Sequence, residues 1–271
     1  MGINKDQREN GSRRRKVVAT VLLVTGMLVI SYMEVRRYPL FQHQQPATLT
    51  NTPDGYTVSA PRGAQRQATL PDGTKVWLNA ATTLSYPTGL SKGDRIVDLT
   101  GEALFDVSPD PARPFRVRTG KMIVEQLGTL FNVRNYPDEQ VCRAVVAEGS
   151  VKVIDGDDQV VLHTDDEVMI QPSARDDTAL QVLHGVNAHL ATSWIEGMIV
   201  FHNDDFQTVL QSLSRSYDVE IRPQGSLPTQ KFYGRFSLKQ PLKVVIDQLD
   251  FGTHVDIVQQ DQHRVTVTIS P

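Results

Sequence analysis

The sequence predicts a mainly β protein that carries a small α+β module at its C-terminal end and a single transmembrane helix at its N-terminal end. Three observations lead to this prediction. A charge-free apolar run covers residues 17–33, strand-like alternation between glycine turns fills residues 57–171, and apolar residues at helical spacing first appear after Trp194. The chain has 271 residues, enough for one or two ordinary domains.

The overall composition is that of a globular protein and favours no charged partner. Apolar residues make up 39% and charged residues 22% of the chain, and the net charge is −3. This balance gives no general reason to expect nucleic-acid binding. The only cysteine, Cys142, excludes an internal disulfide framework and any multi-cysteine metal site. Cysteine usage leaves the cellular compartment open.

The apolar run at residues 17–33 is predicted to be a retained membrane anchor. A helix of this length rises about 25 Å, and Lys16 and Glu34 at its ends can reach the bilayer interface. The following residues match the cleavage site of a signal peptide poorly, although a cleaved peptide stays the alternative. Basic residues dominate the tail formed by residues 1–16, which predicts that this tail is cytoplasmic and that the bulk of the chain is periplasmic.

Residues 34–56 are predicted to form an extended tether, because they are rich in Pro, Gln and Thr and show no sustained period. Residues 57–171 are predicted to form an all-β domain, a solenoid-like stack or a sandwich of short hairpins. The turn in "TLPDGTKVWLN" illustrates the pattern, because Pro71 fixes φ and Gly73 accepts a positive φ. Residues 172–193 are rich in Asp, Ala and Ser and are predicted to be a linker.

Residues 194–271 are predicted to contain two repeated strand–helix–strand units. The segments "LQSLSRSYDVEI" and "IDQLDFGTHVDI" align without a gap at an offset of 36 residues. The first helix is expected to be capped by Asn203, Asp204 or Asp205, and Pro241 is expected in the first turn of the second. The apolar faces of the two helices are formed by Phe206, Val209, Leu210, Leu213 and Tyr217, and by Leu242, Val245, Ile246 and Leu249.

No residue pattern supports a catalytic, cofactor-binding or metal-binding site, and an enzyme is not expected. Glu102 and Asp106 are about 13 Å apart if they lie on one face of a strand, too far for a usual pair of glycosidase carboxylates. We expect a turn-flanking Glu102 and a solvent-facing Asp106. The aspartate doublets lack the spacing of a calcium loop, and His184 and His189 lack further metal ligands nearby.

Neither tryptophan is expected to mark a ligand site. Trp77 is interpreted as part of a second buried face, with an exposed sugar-stacking residue as the alternative. Trp194 is interpreted as a packing anchor. The sequence does not identify the residues that bind a partner.

Several stretches, in order, resemble the periplasmic domain of FecR-type anti-sigma regulators, especially the branch common in Bacteroidetes. They are "APRG", "TLPDGTKVWLNAATTLSYP", "RIVDLTGEALFDV", "RPFRVRTG", "LGTLFNVRNYPDEQ" and "VAEGSVKV". The later stretch "WIEGMIVFHNDDFQTVLQSLSRSYDVEI" resembles the C-terminal domain that accompanies it, which is similar to the short signalling module of TonB-dependent transducers and secretins. The resemblance covers roughly residues 57–271.

This resemblance implies a single-pass inner-membrane signal transducer without a cofactor. Its expected partners are a TonB-dependent outer-membrane transporter that senses a siderophore or a glycan, an extracytoplasmic-function sigma factor, and the proteases that cleave the anchor. The tail at residues 1–16 departs from the family, because it is too short to form the helical domain that holds the sigma factor. The alternatives are an envelope glycan-binding protein or glycosidase that uses Trp77 and the surface carboxylates, with Glu102→Gln as the test, and a structural component of a secretin-like assembly.

Overall fold

The structure is a computed structural model that describes residues 45–120, 122–126, 128–171, 179–225, 228–249, 254–259 and 264–270. It is mainly β, as predicted, with three short α-helices in this part of the chain. The predicted tail at 1–16 and the predicted membrane span at 17–33 lie outside the described residues. Within the described ranges, no helix has the length and the apolar character needed to cross a membrane.

Fourteen strands form the N-terminal β domain. Their bounds are β1 Thr48–Thr52, β2 Gly55–Ala60, β3 Arg66–Thr69, β4 Lys75–Leu78, β5 Thr82–Pro87, β6 Arg95–Asp106, β7 Phe115–Thr119, β8 Met122–Gln126, β9 Leu130–Asn135, β10 Cys142–Glu148, β11 Ser150–Asp155, β12 Asp158–His163, β13 Asp166–Gln171 and β14 Ala179–His184.

The β domain has two layers of strands that share the long strand β6. One layer has the order β1-β2-β5-β6-β7-β8-β11-β12, and the other has the order β3-β4-β6-β9-β10-β13-β14. Strand β6 pairs with β7 in parallel, and the other pairings in these layers are antiparallel. Residues from both layers line one hydrophobic core, in which the Phe105 ring lies 5.3 Å from that of Phe131 and 6.0 Å from that of Phe115.

Strand β6 passes from one layer to the other at Gly101. Its first part pairs with β5 and β7, and its second part, from Gly101 onward, pairs with β9 and β4. The φ of Gly101 is +111°, and a Cβ at this position would lie 2.5 Å from Oγ1 of Thr82. Thr82 Oγ1 also accepts a hydrogen bond from the backbone N–H of Glu102 at 3.0 Å. The crossing therefore requires glycine.

Two of the predicted segment boundaries were wrong. The tether was expected to continue to residue 56, but β1 begins at Thr48. The linker was expected at 172–193, but residues 179–184 form β14, which pairs with β13 and packs Leu180 and Val182 against the core. A short helix α1, Ala188–Thr192, and a 3-10 helix, Ser193–Glu196, follow. Local composition concealed these elements because tertiary packing stabilises them.

The C-terminal module consists of two small sheets and two helices that share one apolar core. Strands β15 and β17 form one antiparallel sheet, and the other sheet has the order β16-β19-β18. The elements are β15 Met198–Asp204, α2 Phe206–Tyr217, β16 Glu220–Gln224, β17 Phe232–Ser237, α3 Leu242–Gln248, β18 His254–Gln259 and β19 Arg264–Ser270.

The predicted repeat is visible in this module. Helices α2 and α3 begin at Phe206 and Leu242, which are matched positions in the 36-residue alignment. Asp205 caps α2 and accepts a hydrogen bond from the backbone N–H of Thr208. Pro241 was expected in the first turn of α3, but it occupies the N-cap.

Candidate functional site

The C-terminal module docks on the β domain through Arg215 of α2, which is only 4% exposed. One nitrogen of its guanidinium donates to both carboxylate oxygens of Asp138 at 2.8 Å, and another contacts Glu139. The guanidinium carbon lies 3.8 Å from the centre of the Tyr136 ring. Arg215 thus combines two ion pairs with a cation–π contact at a buried position. We call this contact region, centred on Arg215, Tyr136, Asp138 and Glu139, the docking interface.

Glu139 is shared between the two modules. Arg134 of β9 donates two hydrogen bonds to its carboxylate, at 2.8 and 2.6 Å, and one of these goes to Oε1, the oxygen that Arg215 also contacts. Burial by itself raises the pKa of Glu139, but the charges and hydrogen bonds of Arg134 and then Arg215 outweigh it, so that the pKa is lowered. Arg134 also donates to the hydroxyl of Ser212 in α2 at 2.9 Å. The charged groups of Arg134, Glu139 and Arg215 therefore depend on one another across the docking interface.

A second hydrogen-bond chain extends from Arg134 into the β domain. Glu102 accepts from Arg134 at 2.9 Å, from Asn79 at 2.8 Å and from Asn132 at 3.0 Å. The side-chain oxygen of Asn132 in turn accepts from the indole N–H of Trp194 at 3.1 Å. Trp194 is 6% exposed and belongs to the 3-10 helix that leads into the C-terminal module. This chain joins the same two modules a second time.

Backbone contacts bring the loop after β2 against the end of α2. The N–H of Gly63 donates to the carbonyl of Arg215 at 2.8 Å. A Cβ at Gly63, whose φ is +70°, would lie 3.1 Å from Cβ of Asp218. Arg62 donates to the Ser214 hydroxyl at 2.8 Å and to the Val219 carbonyl at 3.0 Å. The interface is thus held by main-chain groups as well as by charges.

A cavity of about 490 Å³ lies beside the docking interface and is lined by both modules. Among its lining residues, Arg143 of the β domain lies 3.4 Å from Glu167 and 3.5 Å from Asp204 of β15. Burial raises the pKa of Glu167, and Arg143 offsets this effect only in part. The long ion-pair distances make this a weaker contact between the modules than the one at Arg215.

The structure places most of the residues that the sequence analysis considered as site candidates apart from one another. Trp77 is 2% exposed, so it belongs to a buried face and offers no stacking surface. Asp106 is exposed, as expected, but the expectation of a turn-flanking Glu102 was wrong, because Glu102 lies inside the long strand β6 and is buried among its three donors.

The two histidines that were closest in sequence have different partners. His184 pairs with Asp166 at 2.8 Å, and His189 pairs with Glu196 at 3.3 Å. In the described part of the chain, no group of three or more His, Cys, Asp or Glu side chains is arranged to hold a metal ion.

Arg215 and its partners were not singled out by sequence reasoning. Arg215 follows Ser212 by three positions and lies beside the apolar stripe of α2, where a long cation ordinarily indicates a solvated face. Tyr136, Asp138 and Glu139 occur in "RNYPDE", which was noted only as part of a resemblance. From the sequence alone, a buried arginine on a helix cannot be distinguished from an exposed one, because the surface that buries it belongs to a distant part of the chain.

Comparisons with known proteins agree with this two-module architecture. Residues 56–152 match the family model described as FecR protein, and residues 198–267 match the one described as FecR, C-terminal. Among curated protein sequences, none matches this chain.

Two crystal structures, each of a candidate anti-sigma factor from Parabacteroides distasonis, are similar to the chain. The first has a TM-score of 0.72 and 27% identity, and the alignment covers 79% of this chain and 99% of the other. The second has a TM-score of 0.73 and 27% identity, with 83% and 100% covered. These matches support an anti-sigma or signal-transducing role. Because the two family matches together span more than half of the sequence, in the order of the two modules, the chain belongs to the FecR-type proteins.

Proposed function

We propose that this chain is a single-pass inner-membrane signal transducer. In this proposal it relays the ligand occupancy of a TonB-dependent outer-membrane transporter to an extracytoplasmic-function sigma factor. Residues 17–33 form the membrane span, residues 1–16 face the cytoplasm and the two modules face the periplasm. Regulated proteolysis of the anchor completes the relay. The membership in the FecR-type proteins and the similarity to the candidate anti-sigma factors support this role.

The docking interface is the observation that carries the proposal. A binding event on the C-terminal module can reach the β domain only through contacts that respond to it. Arg215 provides such a contact, because it is buried and its loss leaves the Glu139 carboxylate with one cation instead of two. The transporter signal is therefore proposed to change how the two modules dock, and this change alters access of a protease to the tether at 34–56.

A non-enzymatic role is consistent with the family, whose members are typically regulators. The glycan-binding alternative required an exposed Trp77 and an available Glu102. Trp77 is buried, and both carboxylate oxygens of Glu102 accept hydrogen bonds from Arg134 or from asparagine side chains. These placements favour the transducer over the glycan-binding protein.

The proposal is tested with the full-length chain in cells and in detergent micelles. In cells, a sigma-dependent reporter is expected to respond to the transporter ligand, and the response is expected to disappear when the transporter lacks its periplasmic signalling module. The variant Arg215→Met should change the response, whereas Arg222→Met, at an exposed position in β16, should not. In micelles, the chain should bind the purified signalling module.

Two results would contradict the relay. One is a reporter response that is the same with and without the signalling module of the transporter. The other is the absence of binding between that module and the full-length chain at concentrations on the order of 10 μM. Ring-shaped oligomers of the chain in the absence of any transporter would instead favour the secretin-like assembly component.

A further inference from the structure

In the two-stranded sheet of the C-terminal module, which consists of β15 and β17, strand β17 has an edge that no other described strand covers. Strand β17 pairs with β15 on one side, and no other described strand pairs with it. Its side chains alternate between the core and the outside. Phe232 is 3% exposed and packs in the module core, whereas Tyr233 is 61% exposed and is among the most exposed large apolar residues of the described ranges. An edge of this kind is a template for one more strand.

The outer face of β17 is basic. Lys231, which immediately precedes β17, and Tyr233 and Arg235 within the strand occupy alternate positions, and all three are exposed. Although the chain as a whole has a net charge of −3, its segment from 221 to 246 contains no Asp or Glu. The basic residues of this segment are Arg222, Lys231, Arg235, Lys239 and Lys243. Three of these cations have a carboxylate nearby: Arg222 lies 2.8 Å from Glu220, Arg235 lies 3.5 Å from Glu196 and Lys243 lies 3.0 Å from Asp247. On the outer face of β17, Lys231 forms no ion pair with another described residue, so two cations share the single carboxylate of Glu196 and the net charge of this face stays positive.

The charges argue against a second copy of this chain as the occupant of the edge. If two β17 strands paired antiparallel around Tyr233, Lys231 of each copy would face Arg235 of the other. Like charges directly opposite one another in a strand pair are destabilising. Lysine and arginine on an open edge therefore oppose self-association. The same charges favour a strand that presents carboxylates at alternate positions.

We propose that the open edge of β17 binds an extended segment with acidic side chains at alternate positions, supplied by the periplasmic signalling module of the transporter. This inference rests on the proposed function, because it names the surface through which that partner is recognised. Main-chain hydrogen bonds to β17 supply much of the affinity, and the pairing of acidic side chains with Lys231 and Arg235 supplies the specificity. Tyr233 adds an exposed ring that packs on the incoming strand.

The test compares two double charge reversals in the full-length chain. Lys231→Glu with Arg235→Glu changes the outer face of β17. Arg222→Glu with Lys243→Glu makes the same change in net charge at exposed positions of β16 and α3. Binding of the transporter signalling module is measured by calorimetry. We expect the first variant to bind at least about tenfold more weakly than wild type, and the control to stay within about threefold.

Hydrogen exchange distinguishes strand addition from a contact made by side chains alone. In the complex, the amides of Phe232–Ser237 should exchange more slowly, whereas those of Glu220–Gln224 in β16 should not change. Thermal unfolding of both double variants establishes that they are folded.

Each result other than the expected one would overturn the inference, and each would point to a different explanation. Equal binding of both double variants, or weakened binding without protection of β17, leaves the relay intact but rejects the edge as its recognition surface. Failure of the signalling module to bind even the wild-type chain rejects the relay and the edge together. Protection of β17 in the chain alone, accompanied by a dimer mass, assigns the edge to a second copy. Protection by anionic lipid vesicles assigns it to a membrane surface.

Discussion

The guanidinium of Arg215 lies 3.8 Å from the centre of the Tyr136 ring, and this contact joins a helix of one module to the end of a strand in the other. The ring is 3% exposed, and its hydroxyl donates to the carbonyl of Ala80 at 2.9 Å. Burial raises the pKa of Tyr136, so the ring stays neutral at any physiological pH. Its position is thus fixed by the β domain, and Arg215 docks on a preformed surface.

Replacing Arg215 by methionine should separate or loosen the two modules. The change leaves the buried Glu139 with Arg134 alone, and breaking a buried ion pair from one side costs about 3–5 kcal/mol. We expect the free energy of unfolding, measured with urea, to fall by an amount near the lower end of that range. The matched control Arg222→Met removes an exposed pair with Glu220 and should change stability by less than about 1 kcal/mol. Equal effects of the two variants would contradict the role assigned to Arg215.

Undocking should be visible in the fluorescence of Trp194. The chain contains two tryptophans, so Trp77→Phe leaves Trp194 as the only one, and its indole N–H bonds to Asn132 in the β domain. In this background, adding Arg215→Met should shift the emission to longer wavelength, because the indole becomes exposed to water. An unchanged spectrum, in a variant that far-ultraviolet circular dichroism shows to be folded, would mean that the modules stay docked.

Acid should weaken the docking interface through Glu139. The pKa of Glu139 is lowered below its ordinary value of 4.5 in the folded chain. A carboxyl group with a lowered pKa contributes stability that is complete above the ordinary value and is lost as the pH falls through the lowered one. The variant Glu139→Gln should therefore be less stable than wild type at neutral pH, and the difference should shrink as the pH falls from neutral to values below 4.5. Thermal unfolding across this range measures it, and a constant difference would reject the assignment.

The crossing of β6 between layers should depend on the absence of a side chain at Gly101. Alanine there would place its Cβ 2.5 Å from Oγ1 and 2.8 Å from Cα of Thr82, at a φ of +111°. We expect a loss of about 3 kcal/mol or more, since backbone strain and overpacking add. Gly156→Ala is the control, because its φ is also positive (+59°) but nothing lies within 4 Å of its Cβ. The control should lose only about 1–2 kcal/mol, and chemical denaturation compares the two.

Cys142 should resist thiol reagents in the folded protein. Burial, followed by the charge of Asp155, raises the pKa of its thiol to about 12, and only the thiolate is an effective nucleophile. At pH 8 we expect labelling to follow unfolding, with little reaction in buffer and complete reaction in concentrated urea. Cys142→Ser should abolish the labelling. Fast labelling of the native chain would show that the thiol is accessible.

Periodicity determined much of the fold, because strand alternation and helix spacing are local properties. The alternation in "EALFDV" predicts that Ala103, Phe105 and Val107 share one face, and all three belong to the core of the β domain. The 36-residue repeat located both helices of the C-terminal module. The segments at 34–56 and 172–193 were misjudged. Strands β1 and β14 at the borders of the β domain exist because of the neighbours with which they pair, and polar composition conceals such strands.

The sequence by itself therefore determined the two modules, most of their strands, the two helices of the C-terminal module and the family resemblance, since each of these is carried by residues that are near one another in the chain. Only the tertiary structure decided how the modules meet. Arg215 and Asp138 are 77 positions apart, and no spacing rule relates a cation on a helix to a carboxylate beyond the end of a strand. The burial of Arg215 and of its other partner, Glu139, gives this contact its energetic importance, because a charge that contributes little to stability at a solvated surface must be compensated once water is excluded.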